Sequence, residues 1–81
     1  MNVRSEILEQ FKQVAHEQGM LLAPLFDELP LLDSGLDSLC FAIIVSRLET
    51  ALDVDPFSQN QGAPFPVNLR DFISFYENAV H

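Results

Sequence analysis

Apolar side chains recur at helical spacing near the start of the chain, which predicts an amphipathic helix over about residues 2–18. Its apolar face consists of Val3, Ile7, Leu8, Phe11, Val14 and Ala15. Asn2 or Ser5 is expected to cap its start, and Gly19 to end it. The same spacing predicts a last helix over about residues 68–80, capped by Asn68. Its apolar stripe consists of Leu69, Phe72, Ile73 and Tyr76, with Phe75 beside it.

A third helical pattern covers residues 37–53 and has apolar residues on more than one face. The expected core stripe consists of Ile44, Leu48, Ala51 and Leu52, with Val45 beside it. The opposite face would hold Cys40, Phe41, Ile43, Ser46, Arg47 and Thr50. That face is more apolar than a solvated helix needs, which indicates either a binding surface or a helix buried on two sides.

Two irregular segments join these helices. Residues 20–36 are unusually apolar, and Pro24 and Pro30 argue against a continuous helix there, so this long connection is expected to pack on the other helices. In residues 54–66, Gly62, Pro64 and Pro66 leave room for at most a turn or two of helix. Because no strand alternation is present, the chain is predicted to be all-α. We expect a small three- to four-helix bundle with a long first loop, forming one domain over residues 1–81.

Composition narrows the functional classes. The net charge is −8, with four Lys or Arg against twelve Asp or Glu, which disfavours nucleic acid and anionic membranes as partners. The acidity either attracts basic patches on partner proteins or only provides solubility. No apolar run is long enough to span a membrane, and the first residues do not follow a signal-peptide pattern. A single cysteine fits a reducing compartment, so a cytoplasmic location is expected.

Residues for catalysis are scarce. A nucleophilic serine needs a nearby base, but His16 and His81 lie in no recognisable catalytic frame. Cys40 has no neighbouring cation to activate its thiol, and Asp53 and Asp55 do not begin a calcium-binding loop. The chain is therefore expected to be neither an enzyme nor a metal-binding protein.

The most informative stretch is Gly35-Leu36-Asp37-Ser38-Leu39, which leads into the predicted second helix. Gly35 allows a sharp turn, and either Asp37 or Ser38 is suited to cap the helix. A helix N-terminus also favours a bound phosphate, because its free N–H groups carry partial positive charge. On these residues alone, the stretch is either a simple cap or a place to attach a phosphate group.

This stretch resembles the attachment motif of the acyl and peptidyl carrier protein family, in which the serine of Asp-Ser-Leu carries a 4′-phosphopantetheine arm. The resemblance extends over the order of the helices, and Asn68 stands where the family's closing helix usually has a capping threonine. It implies that Ser38 holds the arm and that Asp37 serves the metal and coenzyme A site of a phosphopantetheinyl transferase. The arm's thiol would hold an acyl or aminoacyl group as a thioester.

The resemblance also implies partners. These are the transferase, a separate acyl- or aminoacyl-activating ligase and a downstream acyl-transfer enzyme, which would recognise a monomeric carrier. The expected recognition surface consists of Leu36, Leu39, Phe41 and Ile43. Unlike carriers of fatty acid synthesis, the second helix has no acidic residue before Glu49, so apolar contact should outweigh charge steering there. Removing Phe41 should then weaken recognition and spare stability.

The alternative is a small helical interaction module without a prosthetic group. In that case Ser38 would be dispensable, and Phe41 or Ile43 would matter more. The cargo of a carrier stays open between fatty, polyketide and amino acids, because the loading enzyme often selects it.

Overall fold

The computed structural model describes residues 2–59 and 65–80 and contains α-helices as its regular elements. The helices are α1 (Val3–Glu17), α2 (Ser38–Leu52), α3 (Pro56–Gln59) and α4 (Leu69–Ala79). A 3₁₀ turn, Leu31–Asp33, interrupts the connection between α1 and α2. The described ranges contain no strand, only an isolated antiparallel bridge between Pro30 and Asn68. The predicted all-α fold with a long first loop is confirmed.

The ends of α1 follow from local sequence. The Asn2 side chain accepts a hydrogen bond from the Ser5 amide at 3.0 Å, which confirms Asn2 as the cap. Gly19 has a positive φ of 69°, and the Met20 amide donates to the Ala15 carbonyl at 2.8 Å. This arrangement satisfies a carbonyl of the last turn that has no partner within the helix, so Gly19 ends α1 as predicted.

The core lies between α1, α2 and α4. At its centre, the ring of Phe11 meets those of Phe72 and Phe41 edge-on, with centroid separations of 5.6 Å and 5.9 Å. Each long helix contributes one stripe, and the first connection contributes three leucines. The buried apolar residues are Ile7, Phe11, Val14, Ala15, Leu29, Leu31, Leu36, Cys40, Ile44, Leu48, Leu69, Phe72, Ile73 and Tyr76.

One open alternative is decided by the structure, and one assignment from the sequence pattern is wrong. Cys40, which the sequence leaves open between the surface and the core of α2, is only 1% exposed, because positions 40, 44 and 48 share one face of the helix. Leu36 is predicted on the recognition surface but is 7% exposed and belongs to the core. Ala51 and Leu52 of the predicted core stripe are only half-buried, as is Val45 beside it.

The first connection packs on the bundle, as predicted, and is fastened to the start of α4 by main-chain hydrogen bonds. The Leu69 and Arg70 amides donate to the carbonyls of Leu29 and Asp27, each at 2.9 Å. The Leu31 amide donates to the Val67 carbonyl at 2.8 Å. The bonds from Leu69 and Arg70 give partners to amides of the first turn of α4 that have none within the helix. The connection also leaves large apolar side chains exposed, namely Leu21 and Leu32, each 93% exposed, and Phe26.

The second connection contains the single turn α3, which agrees with the prediction of at most a turn or two. Pro56 is buried, and Phe57 packs against Phe75 at a centroid distance of 4.9 Å. Gly62 and Pro64, which are predicted to limit this helix, lie outside the described residues. None of the helices within the described ranges has both the length and the apolar character needed to cross a membrane.

Candidate functional site

The turn that leads into α2 depends on Ser34 and Gly35. The Ser34 hydroxyl is fully buried, donates to the Leu31 carbonyl at 2.6 Å and accepts the Leu36 amide at 3.3 Å. Gly35 has a φ of 93°, and a Cβ atom there would lie 2.1 Å from the Leu21 carbonyl oxygen. Glycine is therefore required at position 35, both for its conformation and for the close approach of the first connection.

The role of Ser34 is not predicted from the sequence pattern. A local signal exists, because a serine just before a glycine is well suited to bond the backbone amide two residues later. Nothing local to the sequence, however, indicates that this hydroxyl is buried.

Asp37, not Ser38, caps α2. Its carboxylate accepts a hydrogen bond from the Cys40 amide at 2.9 Å, and its backbone is extended. This hydrogen bond holds the pKa of the Asp37 carboxyl below its ordinary range, so the side chain is anionic at neutral pH. Because Asp37 supplies the cap, the hydroxyl of Ser38 is not needed for it.

Ser38 is the first residue of α2, and its side chain is exposed. Its hydroxyl makes no hydrogen bond to any part of the chain that the structure describes. The two serines of this stretch therefore differ in availability: Ser34 is buried and bonded, whereas Ser38 is exposed to a reacting partner.

An apolar groove of about 910 Å³ begins at Ser38. One side is α2, and the other is formed by the 3₁₀ turn, α3 and residues 65–67. Its lining residues are Leu31, Leu32, Leu36, Asp37, Ser38, Phe41, Ala42, Val45, Phe57, Phe65, Pro66 and Val67. Among these described lining residues, Asp37 and Ser38 have the polar side chains, and both lie at the N-terminal end of α2.

Aromatic rings form much of one end of this groove. Phe57 and Phe65 stack at a centroid distance of 5.4 Å with an interplanar angle of 9°. Phe41 meets Phe65 edge-on at 6.3 Å, and its ring also contacts Phe11 in the core. Phe41 is therefore half-buried, and its removal would cost stability as well as change the groove, contrary to the expectation that stability is spared.

The residues predicted for recognition do not form one surface. Leu36 and Phe41 line the groove beside Ser38, whereas Leu39 and Ile43 lie outside it. Leu39 is 60% exposed, and Ile43 is half-buried against the core.

Other groove residues are missed by the sequence reasoning. Ala42 and Val45 follow Ser38 at helical spacing, so a helical projection would have found them. Phe65 and Val67 have no such local signal, because the pairing of residues 67–70 with the first connection brings them to the groove.

Charged and reactive groups near Ser38 are few. Burial raises the pKa of the Cys40 thiol, which disfavours the reactive thiolate. His16 is exposed on α1, and His81 lies outside the described residues. The described part of the chain contains no group of three or more His, Cys, Asp or Glu that could hold a metal ion. The arrangement thus presents an exposed hydroxyl, an adjacent carboxylate and an apolar groove.

Comparison with known proteins finds no matching family model, no matching curated protein and no matching solved structure. The residues of this chain and the motif that they form are therefore the basis for a functional proposal.

Proposed function

We propose that the chain is a carrier protein that bears a 4′-phosphopantetheine arm on Ser38. The observation that carries the proposal is the exposed hydroxyl of Ser38 at the first position of α2, directly after the cap residue Asp37 and at the edge of an apolar groove. Within residues 2–59 and 65–80 this hydroxyl has no hydrogen-bond partner. Since Ser34 is buried in the turn, Ser38 is the serine of the motif that a modifying enzyme would reach.

The start of α2 suits a phosphodiester. A helix N-terminus carries partial positive charge, which favours a phosphate group near its first residue. The Asp37 carboxylate, kept anionic by its bond to the Cys40 amide, lies beside Ser38 and is suited to contact a magnesium ion that a transferase brings. The resemblance to carrier proteins implies this second role for Asp37.

The attachment is a phosphoryl transfer from coenzyme A. The Ser38 oxygen attacks the β-phosphorus, so that a new O–P bond forms and the pyrophosphate P–O bond breaks. Adenosine 3′,5′-bisphosphate leaves, and the serine proton passes to a base of the transferase. The external base is necessary because the described residues place no histidine beside Ser38.

Loading is the work of a second enzyme, an acyl- or aminoacyl-activating ligase. Held on Ser38, the arm would supply a thiol that can carry the activated acyl group as a thioester. The tethered thioester then reaches a downstream acyl-transfer enzyme at high effective concentration, since protein contact delivers it. The proposed carrier is cytoplasmic and monomeric and has no catalytic activity of its own.

Intact mass spectrometry tests the proposal. The chain is incubated with coenzyme A, magnesium and a broad-specificity phosphopantetheinyl transferase, and a mass gain of one phosphopantetheine is expected. Ser38→Ala should show no gain. Ser46→Ala, which removes another exposed serine of α2 outside the groove, should show the full gain. A modified Ser38→Ala variant would contradict the assignment of the site.

The alternative is an interaction module that uses the same region without an arm. The exposed apolar side chains of Leu32, Leu39 and Val67 favour it. If several transferases leave the wild-type chain unmodified, this alternative replaces the carrier proposal.

A further inference from the structure

We infer that Ser34 is a positioning residue for the proposed attachment on Ser38. Through its two hydrogen bonds, the Ser34 hydroxyl fixes the start of α2 relative to the opposite wall of the groove, so that Asp37 and Ser38 are held in one geometry before a transferase binds. This inference rests on the proposed function for its effect on the reaction. Its geometric part, the coupling of Ser34 to the first turn of α2, is a property of the unmodified chain.

A continuous path of hydrogen bonds joins the wall opposite α2 to the chain that enters α2, and Ser34 lies at its centre. At one end of the path, the Leu31 amide donates to the Val67 carbonyl at 2.8 Å. The Leu31 carbonyl accepts the Ser34 amide at 3.2 Å and the Ser34 hydroxyl at 2.6 Å. The same hydroxyl accepts the Leu36 amide at 3.3 Å, two residues before Ser38. Since Leu31 and Val67 line the groove, the path sets the position of Ser38 relative to that wall.

The bond to the Leu36 amide matters because it spans Gly35. Glycine is required at position 35 for the close approach of Leu21, but its own side chain places almost no restraint on its dihedral angles. The φ of 93° therefore has to be held by neighbouring groups. The Ser34 hydroxyl bonds to the Leu31 carbonyl before Gly35 and to the Leu36 amide after it, and so supplies this restraint.

The restraint reaches Ser38 over a short distance along the chain. Leu36 packs in the core, and only Asp37 separates it from the first residue of α2. Asp37 has an extended backbone, from which its carboxylate reaches the Cys40 amide. A change in the direction of the chain at Leu36 would therefore displace the cap and the Ser38 hydroxyl together.

The proposed transfer is sensitive to such a displacement. The attacking oxygen has to lie in line with the leaving group, and a misplacement of about 1 Å can cost about 100-fold in rate. The Asp37 carboxylate has to meet the magnesium ion in the same geometry. Loss of the buried Ser34 hydroxyl removes no exposed side chain, so the surface that the transferase binds keeps its chemistry. The rate of transfer should therefore fall while KM for the carrier changes little.

Hydrogen exchange in the unmodified chain tests the coupling. The Cys40 and Asp71 amides form a matched pair, since each donates at 2.9 Å to the cap residue three positions earlier. In Ser34→Ala, exchange of the Cys40 amide should be faster by about tenfold or more, while exchange of the Asp71 amide changes much less. If Ser34 only contributed to overall stability, both amides would be accelerated alike, because they would exchange through global unfolding. Equal acceleration, or none at Cys40, would overturn the inference.

Transferase kinetics test the effect on the reaction. In Ser34→Ala, kcat for phosphopantetheine transfer should fall about tenfold or more, while KM for the carrier stays within about twofold. Ser34→Cys fills the same space with a thiol that bonds weakly, so its kcat should fall as well. Val14→Ala is the control, because it truncates a completely buried side chain of α1 and leaves the turn intact, and its kcat should be that of the wild type. A wild-type kcat in Ser34→Cys, or an equal fall in Val14→Ala, would contradict the assignment.

The two measurements separate this inference from the carrier proposal. If no transferase modifies the wild-type chain, the proposed function fails and the attachment role of Ser34 fails with it. Hydrogen exchange at Cys40 still decides in that case whether Ser34 holds the first turn of α2. If the wild-type chain is modified and Ser34→Ala has the wild-type kcat, the proposed function stands and the inference is refuted.

Discussion

The starts of α2 and α4 have the same cap but different surroundings. Asp37 and Asn68 both have extended backbones, and each accepts a hydrogen bond at 2.9 Å from the amide three residues on. At α4, the next two amides donate to carbonyls of the first connection, and Leu69 is completely buried. At α2, the residues after the cap are Ser38 and Leu39, and both are exposed.

The difference shows that a cap motif alone does not identify a functional site. An Asp or Asn directly before a helix first of all accepts a hydrogen bond from an amide of the first turn that has no partner within the helix. What separates the start of α2 from that of α4 is an accessible first turn beside an apolar groove. The following variants test how each start is held, beginning with the largest expected effect.

Replacing Gly35 should do the most damage, because it disturbs the turn that presents Ser38. In Gly35→Ala, the new methyl group would lie 2.1 Å from the Leu21 carbonyl oxygen, at a φ of 93°. We expect a loss of about 4 kcal/mol in the free energy of unfolding, measured by urea denaturation. Gly19→Ala is the control, since Gly19 has a φ of 69° but nothing within 4 Å of its Cβ position. It should cost only about 1 kcal/mol, and an equal cost for both variants would show that the close approach is unimportant.

The stability costs of truncating the leucines that follow the two caps should differ almost as much. Leu69→Ala removes a completely buried side chain at the start of α4 and should cost about 3 kcal/mol. Leu39→Ala removes one that is 60% exposed at the start of α2 and should cost less than about 0.5 kcal/mol. Thermal unfolding of both variants measures the contrast. A large loss for Leu39→Ala would mean that the start of α2 is as closed as that of α4.

These contrasts also show which features follow from sequence. The helices, the cap at Asn2 and the stop at Gly19 depend on neighbours within a few residues, so local periodicity and capping chemistry predict them. The place of Ser38 at the start of α2 likewise follows from its local frame, since the turn, the cap and the first helical residue are consecutive.

Other features depend on contacts between distant segments, and local sequence patterns predict them wrongly or not at all. Leu36 looks like part of an exposed motif, but the turn directs it into the core. The opposite wall of the groove requires residues 67–70 to pair with the first connection, and no periodicity within either segment specifies that pairing. Cys40 is a different case, because its spacing to Ile44 and Leu48 already favours the core over the surface.

Replacing the two serines near Gly35 by alanine should affect the free energy of unfolding to very different extents. Ser34→Ala leaves the Leu36 amide and the Leu31 carbonyl without their bonds to a buried hydroxyl and should cost about 2 kcal/mol. Ser38→Ala should change the free energy of unfolding by less than about 0.5 kcal/mol, because Asp37 supplies the cap. Chemical denaturation measures the stability of both. If Ser38→Ala proved the more costly, Ser38 would have a structural role that competes with the proposed attachment.

The smallest expected effect is a difference in how the stability contributions of the two caps depend on pH. Because its folded pKa is lowered from the ordinary 3.8, ionised Asp37 stabilises the fold above that value, and this contribution is lost as the pH falls through the folded pKa. Asn68 does not titrate, so its cap persists in acid. Asp37→Asn should therefore have the same Tm as the wild type at pH 7, since Asn and Asp cap equally well. Between about pH 5 and about pH 2.5, the Tm of the variant should fall less than that of the wild type.

The same variant tests the second role proposed for Asp37. An amide is a weaker magnesium ligand than a carboxylate, so Asp37→Asn should be modified more slowly by the transferase although its fold is intact. Asn68→Asp is the matched exchange at the start of α4. Its stability should become pH-dependent, while its modification rate should not change. If Asp37→Asn were modified at the wild-type rate, the carboxylate would be a cap and nothing more, and the start of α2 would differ from that of α4 only in its exposed serine and its groove.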